Sequence, residues 1–358
     1  MALFGRRADT PPQSTPQSAA QRPAPLDGVD TVLADLDGVV YAGAHALPHA
    51  VESLNRAGKT RRLGYITNNA SRRDATVAEH LRELGLAATR PEDVVTSPQA
   101  AMRLLRERVA PGARILVVGG DGLVFEVEKA GYTVTRSADD APAAVVQGFA
   151  PDVGWLQLAE ASYALALPEE GGGIPWIATN TDWTIPQARG IAPGNGTLVS
   201  AVHTAVGRLA VVAGKPERPI FDEAVARFGA QHALFIGDRL DTDIAGAQAA
   251  GLESVLVLTG VDRPKHVLAA PSTSRPTYIV GDLRELHEPY PETIVDGDVT
   301  RVGAAAVRID GPDVQILAAG DRPIDLVRAG AAAIWRTGRA IYGFRVPEAL
   351  YADPFHRP

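Results

Sequence analysis

Short apolar runs alternate with amphipathic stretches from Thr31 onward, and several of those runs stop abruptly at Asp, Thr, Lys or Gly. Thr31-Val32-Leu33-Ala34 reads as a buried strand opening into Asp35-Leu36-Asp37-Gly38, and Leu63-Gly64-Tyr65-Ile66 as a second strand stopping at Thr67-Asn68-Asn69. The spacing predicts helices over 48–57 and 72–85, closed by Gly58 and Gly85. Strand and helix alternating at this interval predict a parallel sheet with right-handed crossovers.

The middle of the chain repeats the alternation with its own elements. Strands are expected at 115–118, 144–146 and 176–178, helices near 123–130 and 155–167, and Gly171-Gly172-Gly173 as a tight connection. From Gly196 the first pattern returns, with helices at 198–206, 219–228 and 244–250 and strands at 211–212, 233–236 and 255–258. Beyond Pro289 and Pro291, residues 304–309 and 314–317 suit a hairpin around Gly311, followed by a helix near 324–337. The expected class is therefore α/β: a Rossmann-like parallel-sheet core at 26–105 and 190–288, an inserted α/β unit at 106–189, and a small C-terminal α+β extension at 289–358. Residues 1–25, rich in Pro, Gln, Ser and Ala, read as a flexible tail with no apolar signal-peptide core.

A length of 358 residues agrees with two or three such units. The net charge of -7 and the lack of a basic stripe argue against a nucleic-acid partner. No apolar run approaches the roughly 20 residues a membrane span needs. Zero cysteines exclude disulfides, thiolate catalysis and Cys-ligated zinc. A cytoplasmic location is the default expectation.

In open α/β sheets the chemistry lies beyond the carboxyl ends of the strands. Asp35 and Asp37, two residues apart at a strand end, can point into one crevice, one attacking phosphorus while the other handles protons. Asp-x-Asp-Gly also suits a plain turn. Asp238, in Gly237-Asp238-Arg239-Leu240-Asp241-Thr242-Asp243, follows the strand at 233–236 and can share a Mg²⁺ with Asp35. Asp243 fits a helix cap as well as a catalytic role. Thr67-Asn68-Asn69 offers a hydroxyl and main-chain N–H groups to a phosphate, or a cap to the next helix. Lys215, in Gly214-Lys215-Pro216, is one of four lysines among 35 basic residues, and its place after a strand fits a compact point charge, although chance placement stays open.

Taken in order, Asp-x-Asp, Thr, Lys and Gly-Asp-x-x-x-Thr-Asp resemble the motif set of the haloacid dehalogenase (HAD) superfamily across residues 28–288. Asp35 to Tyr41, Ile66 to Ser71, Ala178-Thr179-Asn180 and Gly214 to Glu217 are similar to its NagD-like branch, whose α/β cap is inserted between the Thr and Lys motifs. The branch includes phosphoglycolate, pyridoxal-phosphate and p-nitrophenyl phosphatases. The chain resembles most the actinobacterial members that act on glycerol 3-phosphate and carry a C-terminal extension.

The resemblance implies a phosphatase working through an aspartyl-phosphate. Asp35 would be nucleophile and Mg²⁺ ligand, and Asp37 general acid then base with its carbonyl on the metal. Asp238 would complete the metal shell, with Asp243 behind it. Thr67, Asn68 and Asn69 would hold the phosphate and Lys215 would neutralise it. Mn²⁺ or Co²⁺ are the expected substitutes for Mg²⁺. Asn180 and Asp182 lie where the cap returns to the core and suit either a substrate-facing rim or a turn. The expected partner is a small-molecule phosphate, glycerol 3-phosphate ahead of phosphoglycolate or pyridoxal phosphate, with neither nucleic acid nor membrane and with homodimerisation open. A phosphate-sensing module and a phosphomutase are the rival readings, and Asp37 argues against the first, because a stable phosphoryl signal is ill served by a built-in base.

Overall fold

The computed structural model of this chain describes residues 21–187 and 189–354, so most of the expected tail lies outside the described residues. Its last part does not behave as a tail: Gln21–Arg22 pairs antiparallel with Tyr290–Pro291.

Six parallel strands form the first sheet, in the order Tyr278–Val280, Glu253–Val257, Ala233–Gly237, Thr31–Ala34, Arg62–Thr67 and Val94–Thr96. Val32, Leu33, Leu234, Phe235 and Ile236 are all completely buried, because helices cover both faces of the sheet. This order decides the chemistry. Thr31–Ala34 lies at the centre, with Ala233–Gly237 on one side and Arg62–Thr67 on the other. The chain segments that follow these three strands therefore emerge side by side at one edge.

The second sheet is also parallel, in the order Val211–Val212, Trp176–Ala178, Ala144–Gln147, Arg114–Val118 and Thr133–Thr135. Its boundary corrects the expectation. Val211–Val212, assigned from sequence to the first sheet, pairs with Ile177–Ala178 in the second. Helix Asn195–Val206 buries Val199 and Val202 in the same apolar cluster as Trp176 and Val145. The inserted unit thus runs past residue 189 to the loop that carries Lys215. A two-residue strand has no pattern of its own to name its sheet, so only the partner across the hydrogen bonds decides. A hairpin of Thr184–Gln187 with Gly190–Pro193, not expected from sequence, projects from this return segment. Helix Ser97–Arg108 joins the two units, and Ile66, Phe221 and Phe235 of the first share one apolar cluster with Ile115, Val146 and Ile177 of the second.

The C-terminal part contains the expected hairpin, Ala305–Asp310 with Asp313–Ala318, and the expected helix, Pro323–Trp335. Thr293–Asp296 and Val299–Val302 extend the hairpin to a four-stranded antiparallel sheet. The helix lies between this small sheet and the core, and Ile324, Val327 and Ile334 share a cluster with Leu256, Leu258 and Ile279. Arg328, only 4% exposed, fastens the contact. It donates to Ile279 O at 2.8 Å, to Asp325 at 2.8 Å and to Glu285 at 2.6 Å, and lies 4.3 Å from the Tyr290 ring centre. Among the described residues no helix is long and apolar enough to cross a membrane.

Removing one member of a buried ion network leaves its partners charged and unpaired, at a cost of about 3–5 kcal/mol. Arg328→Met is therefore expected to lower the unfolding free energy by about that amount, measured by urea titration.

Candidate active site

The Asp35 N–H donates to Ile236 O at 2.8 Å, which extends the pairing of the central strand by one residue and seats Asp35 beside the end of the neighbouring strand. Asp35, Asp238 and Asp243 are buried, and each brings a carboxylate oxygen within 4.8 Å of the others. Two glycines make room for this convergence. A Cβ on Gly38, whose φ is +82°, would sit 2.2 Å from Asp238 Oδ2, and one on Gly260 would sit 1.9 Å from it. The Val261 N–H donates to the same oxygen at 2.6 Å.

Lys215 fills the other side. Its Nζ lies 2.6 Å from Asp35 Oδ1 and 2.7 Å from Asp243 Oδ1, with the side chain 4% exposed. Asp243 Oδ2 accepts the main-chain N–H groups of Asp238 and Arg239, both at 3.1 Å. With both oxygens occupied, Asp243 is the support that fixes Lys215 and Asp238. It lies within a single π-helical turn, Leu240–Ile244, and does not cap the α-helix Ala245–Ala249 that follows.

In the Thr67-Asn68-Asn69 turn both Asn side chains are taken up within the protein. Asn68 is a clamp: its Nδ2 donates to Lys215 O at 3.0 Å and to Asp182 Oδ1 at 3.1 Å, while its Oδ1 accepts the Lys215 N–H at 2.8 Å. Asn69 Oδ1 accepts from the Ser71 N–H and hydroxyl, and the Asn69 N–H donates to Thr67 Oγ1 at 3.1 Å. The Thr67 hydroxyl keeps a proton to donate and is the side-chain group of this turn suited to a phosphate. Asn180 is likewise no open rim residue. It is 4% exposed, its Nδ2 donates to Asn68 O at 2.8 Å, and its Oδ1 accepts the Asp182 N–H. Asn195 completes the chain by donating to Asn180 O at 2.7 Å. A side-chain amide that replaces backbone pairing cannot be told from a ligand-binding amide by sequence, because both uses call for the same donor and acceptor.

Burial and the neighbouring Asp243 charge raise Asp35 to about 7 against the pull of Lys215, and burial and the charges of Asp243 and Asp35 raise Asp238 to about 8. Lys215 is held above its ordinary range by Asp243 and Asp35, which outweigh its burial, so it stays cationic. Asp37 is exposed as a residue, yet the protein around it desolvates its carboxyl enough to raise it, opposed by Arg72, Lys215 and His80. Arg72 was not singled out from sequence; its only signal was position, five residues after Thr67.

Burial and mutual repulsion push Asp35 and Asp238 upward, and the single Lys215 does not offset them. That is the electrostatic condition a divalent ion relieves, and oxygen donors suit a hard cation. Asp35 and Asp238 are the residues placed to hold one.

A haloacid dehalogenase-like hydrolase family model matches residues 32–133, and a HAD-hydrolase-like model matches residues 212–286. A D-glycerol 3-phosphate phosphatase of Mycobacterium tuberculosis is 45% identical over 338 residues, covering 92% of this chain and 89% of the relative. The crystal structure of the M. tuberculosis glycerol phosphate phosphatase in complex with magnesium superposes with a TM-score of 0.81 at 42% identity, covering 91% of this chain and 95% of that one. NagD from E. coli K-12 superposes at 0.63 with 31% identity, covering 73% and 98%. The chain belongs to the haloacid dehalogenase-like hydrolase family.

The raised carboxyls set the sign of a pH effect. Between the ordinary carboxylate value of 3.8 and the raised values near 7 and 8, the folded protein binds more protons at Asp35 and Asp238 than the unfolded chain. Their contribution to stability therefore falls as pH rises through that window in metal-free protein. A divalent cation should displace these protons, so Mg²⁺ is expected to raise the melting temperature more at pH 8 than at pH 6, read by differential scanning fluorimetry in EDTA and in excess Mg²⁺.

Proposed function

We propose that this chain is a Mg²⁺-dependent phosphatase of a small organic phosphate, glycerol 3-phosphate in the first place, acting in the cytoplasm through an aspartyl-phosphate on Asp35. The observation that carries the reading is the seating of Asp35 between Lys215 at 2.6 Å and the buried Asp238, with the exposed Asp37 two residues away. The substrate is supported by the M. tuberculosis relative, which bears the name D-glycerol 3-phosphate phosphatase, and the metal by the magnesium in that organism's enzyme structure.

A carboxylate needs no base to become a nucleophile, but it must approach an anionic phosphoryl group, so charge neutralisation is the main requirement. Lys215 stays cationic against Asp35 and meets part of it. Mg²⁺, held by Asp35 and Asp238, would supply the remaining neutralisation and orient a phosphoryl oxygen. An Asp35 oxygen forms a bond to phosphorus as the bond to the substrate oxygen breaks, and Asp37 gives its proton to the departing alkoxide. The upward shift of Asp37 favours the protonated start this step needs. Asp37, now ionised, takes a proton from water as that water attacks phosphorus, which releases inorganic phosphate and restores the Asp35 carboxylate. Thr67 donates to the phosphoryl group, and Asn68 keeps Lys215 in place through its main chain.

Phosphate release should be measured with glycerol 3-phosphate, phosphoglycolate and pyridoxal phosphate, each with Mg²⁺ and with EDTA. Turnover is expected to be fastest with glycerol 3-phosphate and absent in EDTA. Asp35→Asn should abolish it, and Asp37→Asn should lower kcat by about 10²–10⁴-fold. No turnover by the unaltered protein with any of the three would favour a phosphate-sensing module. Phosphate found by NMR on a second substrate hydroxyl would favour a mutase.

A further inference from the structure

The C-terminal extension has no part in the chemistry above, yet it is tied to one of the residues that carries it. Asp238 is held from the segment that follows strand Glu253–Val257. Val261 donates to its carboxylate at 2.6 Å, and the Asp262 N–H donates to its main-chain oxygen at 3.1 Å. The Asp262 carboxylate accepts the Leu240 N–H at 2.5 Å, and the Thr259 hydroxyl donates to Gly38 O at 2.7 Å, next to Asp37. Residues 259–262 are thus a strap across both acidic strand ends.

The strap continues directly into helix Pro264–Ala269, and the extension is the surface on which that helix rests. Trp335 Nε1 donates to Val267 O at 3.0 Å. Gly330 of helix Pro323–Trp335 packs against Leu268 of helix Pro264–Ala269 and against Leu350 of the extension, where an added Cβ would meet them at 3.3 and 2.6 Å. Arg263, at the junction of strap and helix, pairs with Asp353 at 3.4 Å. Leu240 and Ile244, from the turn that carries Asp243, lie in the same apolar cluster as Ile324, Val327 and Ile334 of the extension.

We propose that the C-terminal extension is a positioning element for the divalent cation: by seating helix Pro264–Ala269 it holds the 259–262 strap, and through Val261 it fixes the orientation of Asp238. This rests on the reading of Asp35 and Asp238 as cation ligands. Groups that orient a ligand from behind commonly change metal affinity by about 10–100-fold when lost. Thr67 and Lys215, the groups proposed above to meet the phosphate, lie outside the strap, so the effect should fall on the cation and not on the phosphate ester.

Mg²⁺ binding is measured by isothermal titration calorimetry, and kcat and KM are measured across Mg²⁺ concentrations. The comparison covers the full chain, Trp335→Phe, Gly330→Ala and a chain ending at Glu288. Trp176→Phe is the control, because Trp176 is a fully buried indole that donates to Gln147 in the second sheet and belongs to neither the strap nor the extension. Trp335→Phe and Gly330→Ala should weaken Mg²⁺ binding several-fold and the truncation by about 10-fold or more. At saturating Mg²⁺ the two point variants should regain the kcat and KM of the full chain, and Trp176→Phe should bind Mg²⁺ normally. Unchanged Mg²⁺ affinity in folded Trp335→Phe and Gly330→Ala overturns the inference, whether or not the truncated chain folds. A lowered affinity in Trp176→Phe equal to theirs also overturns it, since a general loss of stability would then explain all three. Absence of Mg²⁺ binding by the unaltered protein would instead sink the functional reading from which the inference starts.

Discussion

The Lys215 ammonium, held between Asp35 and Asp243, is the contact on which the other features of the site depend. Three buried carboxylates, those of Asp35, Asp238 and Asp243, gather around it, and one buried cation does not offset their burial and mutual repulsion. Asp35 and Asp238 consequently rise well above their ordinary range, which leaves the site short of positive charge. A divalent ion and a phosphoryl group complete such a set: the ion supplies the missing charge, and the phosphoryl group takes up the field between ion and ammonium. An arginine would present a planar fork where the site has room for a point charge between two single oxygens.

Each part of the chain contributes to holding that geometry. The first sheet places Asp35 and Asp238 directly after two adjacent strands. The inserted unit delivers Lys215, because Val211–Val212 is its edge strand and the loop beyond that strand carries the lysine. Asn68, Asn180 and Asn195 form a hydrogen-bonded series from the first sheet into the second, with Lys215 bound at one end through its main chain. A shift of the inserted unit against the core would therefore move the ammonium, which ties the covering of the cleft to the charge balance inside it. The extension closes the remaining side through helix Pro323–Trp335, so a segment with no reactive group of its own lies behind a carboxylate that has one.

Much of this was legible in order and spacing. The apolar runs at 31–34, 63–66 and 233–236 marked buried parallel strands, and the polar residues directly after them marked the edge where chemistry occurs. Asp35, Asp37 and Asp238 could be selected on those grounds, and Lys215 only through its place in the ordered motif set after the short run at 211–212. The Asn residues were harder. Asn68 and Asn180 carry groups that serve a ligand and a backbone equally well, and in the folded protein their side chains are occupied by the backbone. Thr293–Asp296 is exposed along its whole length, so it lacks the buried face that would have marked it as a strand.

The sequence by itself determined the buried strands and amphipathic helices and which reactive groups stand at their ends, because hydrophobic period, strand length and turn residues are local properties. Tertiary structure alone decided which strand lies beside which. It assigned Val211–Val212 to the second sheet, let Gly38 and Gly260 admit Asp238, and engaged the Asn68 side chain as a clamp on Lys215. Those outcomes depend on contacts between residues far apart in the chain, and the energy of such a contact belongs to the pair and is written in neither residue alone.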